Sequence, residues 1–110
     1  MRLSYLATPY THHDSDVRRE RYNLACRKAA ELMLAGEVIF CPIAHSHPLA
    51  EHMPDAKAVD SGFWQRQDSP YIHACDELIV YMMPGWQESS GVTHEIAVAR
   101  DRGIPIRYVA

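Results

Sequence analysis

The sequence lacks most of the features that would place it quickly. It has no surplus of positive charge: 11 Lys and Arg stand against 14 Asp and Glu, a formal net charge of −3. That excludes the electrostatic footprint needed to hold a nucleic-acid polymer or an anionic membrane, but leaves room for a small anion in a local pocket. The three cysteines, Cys26, Cys41 and Cys75, are odd in number and form no C-x-x-C pair. Neither a disulfide framework nor a zinc ribbon is indicated. No apolar run approaches the roughly 18 residues of a membrane span, and MRLSYLATPY at the N-terminus has no signal-peptide h-region. The expectation is a soluble cytoplasmic protein with reduced thiols. No repeat, low-complexity tract or linker divides the 110 residues, so residues 1–110 read as one domain.

What is present is ordinary globular material, 47% hydrophobic and 23% charged, with seven histidines as the one unusual count. Leu3–Ala7 is a short apolar run stopped at Thr8-Pro9, which predicts a buried strand. Asp14 and Ser15 are N-cap residues for a helix over 16–35, whose apolar positions include Leu24, Ala25, Ala29, Leu32 and Met33, with Gly36 behind it. Glu37–Cys41 predicts a second strand. Residues 43–60 contain Pro48 and Pro54 and read as a long loop with at most a short helix. Ser61–Cys75 predicts a helix broken near Pro70. Glu77–Met83 predicts a third strand, the Val92/Ile96/Ala99 face a helix ended by Gly103, and Ile104–Val109 a last strand. Strands alternating with helices predict an α/β, flavodoxin-like, three-layer sandwich: four parallel strands in the order 2-1-3-4, joined by right-handed crossovers. Ligands of such sheets bind beyond the carboxyl ends of the strands near the switch point, here Ala7–Asp14, Cys41–His52 and Met83–Ser90.

Chemistry-bearing residues concentrate there. Ser89-Ser90-Gly91 opens a helix, so hydroxyls and free backbone N–H groups surround its positive end, which suits a phosphate; ordinary N-capping by Ser89 or Ser90 is the alternative. Glu95 is not the partner of a capping box, because three residues beyond Ser89 and Ser90 stand Val92 and Thr93. It lies on the sheet-facing side of its helix, as a dipole partner or a working carboxylate. Tyr5, within the first strand, is ordinary core or, if buried, needs a partner for its hydroxyl, for which Glu95 of the neighbouring strand–helix unit is a candidate. Asp68 either caps a restarted helix or points into the ligand edge, while Asp76 reads as structural. Thr8 and Pro9 end the first strand at the same edge. His45 and His47, on an expected extended loop, could contact substrate, or with His52 hold a metal, although H-x-H is a short signal without an H-E-x-x-H or cysteine partner.

YLATPY at 5–10, the Asp68…Asp76 spacing and SSGVTHEIAVA at 89–99 together resemble the nucleoside 2-deoxyribosyltransferase-like superfamily, and within it a small bacterial family, domain of unknown function 1937. The resemblance covers nearly the whole chain. It implies cleavage of the N-glycosidic bond of a nucleoside or nucleotide by hydrolysis or deoxyribosyl transfer. Glu95 would be the nucleophile, Tyr5 would orient it, and Asp68 would assist the leaving base. Ser89 stands six residues before Glu95, where enzymes of this superfamily acting on free nucleosides carry an acid and those acting on 5′-monophosphates carry a serine. The expected substrate is therefore a 5′-monophosphate, held by Ser89, Ser90, Gly91, Thr8, Pro9, His45 and His47. No cofactor and no metal is implied.

Two other functions compete: a non-catalytic nucleotide-sensing module, and a metal-dependent hydrolase built on His45, His47 and His52. Phe63, Trp64, Trp86, Met82 and Met83 are expected to cover the interface of a homo-oligomer.

Overall fold

A computed structural model describes all of residues 1–110. The elements are β1 (Leu3–Ala7), α1 (Ser15–Leu34), β2 (Val38–Phe40), α2 (Pro42–Ala50), α3 (Asp55–Ala58), α4 (Ser61–Ala74), β3 (Glu77–Tyr81), α5 (Ser90–Arg102) and β4 (Ile106–Val109). The strands form one parallel sheet in the order β2-β1-β3-β4, as the alternation predicts. No helix is long and apolar enough to cross a membrane.

Each strand sends alternate side chains to opposite faces, and the sequence supplies apolar residues for both. Leu6, Ile39 and Ile79 pack with Ala25 and Ala29 of α1 on one face. Tyr5, Ala7, Leu78 and Val80 pack with Ile72 of α4 and Val92 and Ala99 of α5 on the other. The small residues on α1 and α5 let those helices lie close to the strands. Asp14 accepts from the Asp16 N–H at 2.8 Å and starts α1; Gly103, in the left-handed region at φ 73°, ends α5.

Two expectations fail, both through proline. Most of the expected loop over 43–60 is helical, because Pro42 is suited to the first turn of α2 and its buried positions, Ile43, Ser46 and Ala50, recur at helical spacing. Pro48 lies inside that helix. Likewise α4 runs unbroken through Pro70. A proline inside a helix costs roughly 3 kcal/mol, and tertiary burial of Trp64 and Ile72 from the same helix offsets it. Trp64 and Met83 are buried within the domain itself and cannot cover a partner. Trp64 forms a small cluster with Ala50 and Ala58 that closes α2, α3 and α4 together, with Phe63 and Met53 packed on it. Met82 is exposed, and Trp86 packs against the second face and near Tyr108.

The amino ends of the strands are tied by charge. Glu77 is buried and accepts from Ser4 Oγ at 3.0 Å, Arg2 at 2.9 Å and Arg107 at 3.0 Å, while Arg107 also pairs with Glu37. Asp76 accepts from the Leu3 N–H at 2.8 Å at the same end, so it is structural. Burial raises the Glu77 pKa, but the hydrogen bonds from Arg107 and Ser4 and the charges of Arg107 and Arg2 outweigh it and leave the group below 4.5. A depressed carboxylate stabilises the fold above its unfolded pKa, and that contribution is lost as pH falls through the folded value. Glu77→Gln is therefore expected to destabilise the protein by about 1–3 kcal/mol at pH 7 in urea unfolding. The gap should close as the pH drops well below 4.5; a gap constant with pH would mean that packing, not charge, is what the glutamate contributes.

Candidate active site

Beyond the carboxyl ends of β1 and β3 lies a cavity of about 360 Å³. Its walls come from the β1–α1 connection (Thr8, Tyr10, Thr11, His12), α1 (Arg21) and α2 (Ile43, Ser46). They are completed by α4 (Ser61, Trp64, Gln65, Asp68, Ser69), the loop after β3 (Gly85, Glu88, Ser89) and the start of α5 (Ser90, Gly91, His94, Glu95).

Glu95 lies between Val92 and Ala99 on the buried stripe of α5, so helical spacing alone turns it toward the sheet. There the fully buried Tyr5 hydroxyl donates to Glu95 Oε2. Tyr5 sits in a strand paired on both sides, in register with Phe40 and Leu78, which fixes the position of that hydroxyl. Burial pushes the Glu95 carboxyl up to about 8, with the Tyr5 hydrogen bond opposing the shift and the charge of Asp68 adding to it. Burial likewise pushes Asp68 up to about 6. The Tyr5 hydroxyl is raised well above its ordinary value by burial first, then by the charges of Glu95 and Asp68. Two carboxyl groups on one cavity wall thus have their proton affinities raised toward neutral pH, Glu95 further than Asp68, an arrangement suited to acid–base or nucleophilic work.

The same cavity also gathers hydrogen-bond donors and a cation. Ser89 Oγ accepts from the Val92 N–H at 3.1 Å and so caps α5. Capping uses a lone pair of the hydroxyl and leaves its hydrogen free to donate. The two readings of Ser89 are therefore compatible. The first backbone N–H groups of α5 have no intrahelical acceptor, and Thr8 Oγ1 is buried on the cavity wall without a partner. Arg21 adds a cation, anchored by a bond to the Thr11 carbonyl at 3.1 Å, and burial lowers its pKa. Gly85, at φ 91°, passes so close that a Cβ there would lie 2.9 Å from the guanidinium. Glu88 also lines the wall.

Of the residues expected at the site, Glu95, Asp68, Thr8, Ser89, Ser90 and Gly91 line the cavity and Tyr5 lies directly beneath it. Pro9 does not line it and is fully buried. His45 and His47 are not on its wall either, because their segment is helix α2 and not an extended loop. Two residues apart on a helix point to nearly opposite sides, and Ser46 between them faces the cavity instead. His47 meets the Tyr10 hydroxyl at 2.6 Å through Nδ1 and stacks on Tyr22; burial lowers its pKa. His45 is exposed and lines a smaller groove of about 140 Å³ that shares Ser46, Trp64 and Asp68 with the cavity. No group of three or more His, Cys, Asp or Glu side chains is placed to hold a metal ion.

Sequence reasoning missed Arg21 and His94. Arg21 had a signal: it stands four and eight residues before Ala25 and Ala29, a cation on the buried stripe of α1. His94 follows from Glu95 only once the packing of α4 against α5 is known. The proton held by Glu95 has a measurable consequence. A carboxyl whose folded pKa is raised destabilises the fold as pH rises from the unfolded value of 4.5 toward about 8. Glu95→Gln, which can still accept from Tyr5, is expected to be more stable than the native protein at pH 9 by on the order of 2 kcal/mol. That advantage should vanish at pH 5 in paired thermal melts; equal stability at both pH values would mean that Glu95 is ionised at no cost.

A search of curated proteins returns no match. The model of the family described as Domain of unknown function (DUF1937) matches residues 2–110, which takes in every strand, every helix and every residue of the cavity wall. The chain belongs to the DUF1937 family.

Proposed function

We propose that this chain cleaves the N-glycosidic bond of a nucleoside 5′-monophosphate, with Glu95 as nucleophile and Asp68 as acid and base. The observation that carries the proposal is the pair of carboxyl groups, buried Glu95 and half-buried Asp68, lining one cavity, with the Tyr5 hydroxyl donating to the first. Departure of a base builds oxocarbenium character at C1′, which an adjacent carboxylate stabilises and traps. The two carboxyl groups share one proton, and the form that reacts has it on Asp68 with Glu95 ionised; a carboxylate oxygen of Glu95 bonds to C1′ as the C1′–N bond breaks. The electron pair of that bond goes to the base nitrogen, which takes the proton from Asp68. Water then adds to C1′ and gives a proton to the Asp68 carboxylate, while the bond to Glu95 breaks and its pair returns to the carboxylate. A second base in place of water, losing its own proton to Asp68, gives transfer.

The donors and the cation on the cavity wall support a phosphorylated substrate. Arg21, the free hydrogen of Ser89, the unpartnered Thr8 hydroxyl and the start of α5 supply a charge and several donors about one small anion. This reading places the chain with the nucleoside 2-deoxyribosyltransferase-like enzymes that its motifs resemble, among those that act on nucleotides.

The test is chromatographic release of free base from ribo- and deoxyribonucleosides and their 5′-monophosphates. Release is expected from monophosphates in preference to nucleosides, and Glu95→Gln should lower it by at least ~10³-fold. Release from free nucleosides alone would keep Glu95 and discard the phosphate reading. Absence of release with monophosphates still bound would leave a nucleotide-sensing module. Tyr5→Phe should also move the low-pH limb of kcat/KM, because the lost hydrogen bond favours the ionised carboxylate. The limb should rise by about 1 pH unit; a limb that stays in place would belong to a group other than Glu95.

A further inference from the structure

We infer that His94 reads the 2′-hydroxyl of the sugar and makes the cavity selective for ribonucleotides over 2′-deoxyribonucleotides; this rests on the proposed attack of Glu95 at C1′. His94 precedes Glu95 on α5 and lines the same cavity. Its Nε2 lies 3.0 Å from Ser69 Oγ of α4. Ser69 has a single hydroxyl hydrogen, and the shorter of its two contacts, 2.7 Å to the Gln65 carbonyl against 3.0 Å to His94, assigns it to Gln65. In the contact with His94 the serine oxygen can only accept, so the neutral imidazole carries its hydrogen on Nε2. Nδ1 is then a bare acceptor, and no protein donor is bonded to it.

The stereochemistry of the proposed reaction says what arrives beside it. The base of a natural nucleotide leaves from one face of the sugar ring, so displacement by Glu95 comes from the opposite face. On that face C2′ carries a hydroxyl in ribose and only a hydrogen in deoxyribose. The 2′-hydroxyl therefore enters next to the nucleophile. To the cavity α5 presents Ser90, Gly91, His94 and Glu95, with no apolar side chain that would exclude a hydroxyl. Across from them on α4, the hydrogen of Ser69 is spent on Gln65, and the Asp68 carboxyl serves the leaving base. His94 Nδ1 is an acceptor on this wall that no protein donor uses, on the residue next to the nucleophile. A site that pairs a substrate hydroxyl rejects the analogue without it, because the pairing group is left unsatisfied.

The experiment is equilibrium titration of Glu95→Gln protein, which binds without turnover, with matched ribo- and 2′-deoxyribonucleoside 5′-monophosphates of the four common bases. The ribonucleotide of the preferred base should bind ~10-fold or more tightly than its deoxy partner. His94→Phe in that background should erase the difference by weakening the ribonucleotide alone. His94→Gln, whose side-chain carbonyl still accepts, should keep part of it, which a purely structural role for His94 would not produce. His94→Ala carries the same expectation as His94→Phe if the latter fails to fold. Equal affinities, a deoxyribonucleotide preference, or a ribonucleotide preference that survives His94→Phe would overturn the inference. Absence of base release by the native protein with these binding ratios intact would overturn the reading of Glu95 and support this one. Failure of every monophosphate to bind would overturn both.

Discussion

The hydrogen bond between Tyr5 and Glu95 is the contact on which the site depends. A carboxyl buried between a sheet and a helix is costly unless its oxygens are satisfied, and its proton affinity then reports how well they are. Tyr5 supplies the donor from a central strand, the part of the fold least free to move. Val92 and Ala99, the buried residues on either side of Glu95, pin α5 to the same face. The position of one carboxyl group is thus set by the order of the strands, and the sheet holds it directly with no intervening loop.

Arg21 and Glu95 solve the same problem from opposite faces of the sheet. Each replaces an apolar residue on the inward stripe of its helix near the carboxyl ends of the strands, where the layers open into the cavity. Deeper along either stripe, at Ala25, Ala29 or Ala99, a charge would have no partner and no solvent. The two side chains bring a cation and a carboxyl group to one cavity from the two helix layers.

The regular part of the fold was legible because strands buried on both faces are short continuous apolar runs, and Leu3–Ala7 and Glu77–Met83 are unambiguous as such. Strand boundaries were overextended by a residue or two, since apolar character continues past the last ladder bond into Cys41 and Met83. The helices around proline were not legible. Propensity weighs Pro48 and Pro70 as breakers, while the packing that outweighs them, Trp64 against Ala50 and Ala58, joins residues distant in sequence. That error propagated into the site: an extended loop would have aimed His45 and His47 the same way, and a helix aims Ser46 instead. Glu95 was legible because no local capping role explained it, and Tyr5 because a buried hydroxyl requires a partner. His94 was not, because its meaning depends on which hydrogen Ser69 has already given away.

The prolines inside α2 and α4 have an effect beyond their cost in stability. Proline brings no N–H to its own turn, so the Ala44 and Arg66 carbonyls lose the donor four residues on. Both helices contribute to the cavity wall, through Ile43 and Ser46 of α2 and Trp64 and Gln65 of α4. The floor, by contrast, is a fully paired central strand. The cavity therefore has a stiff floor and, where α2 and α4 each lack a helical bond, a more compliant wall. Such a division lets the wall adjust to a ligand while the Tyr5 hydroxyl and the Glu95 carboxyl keep their places.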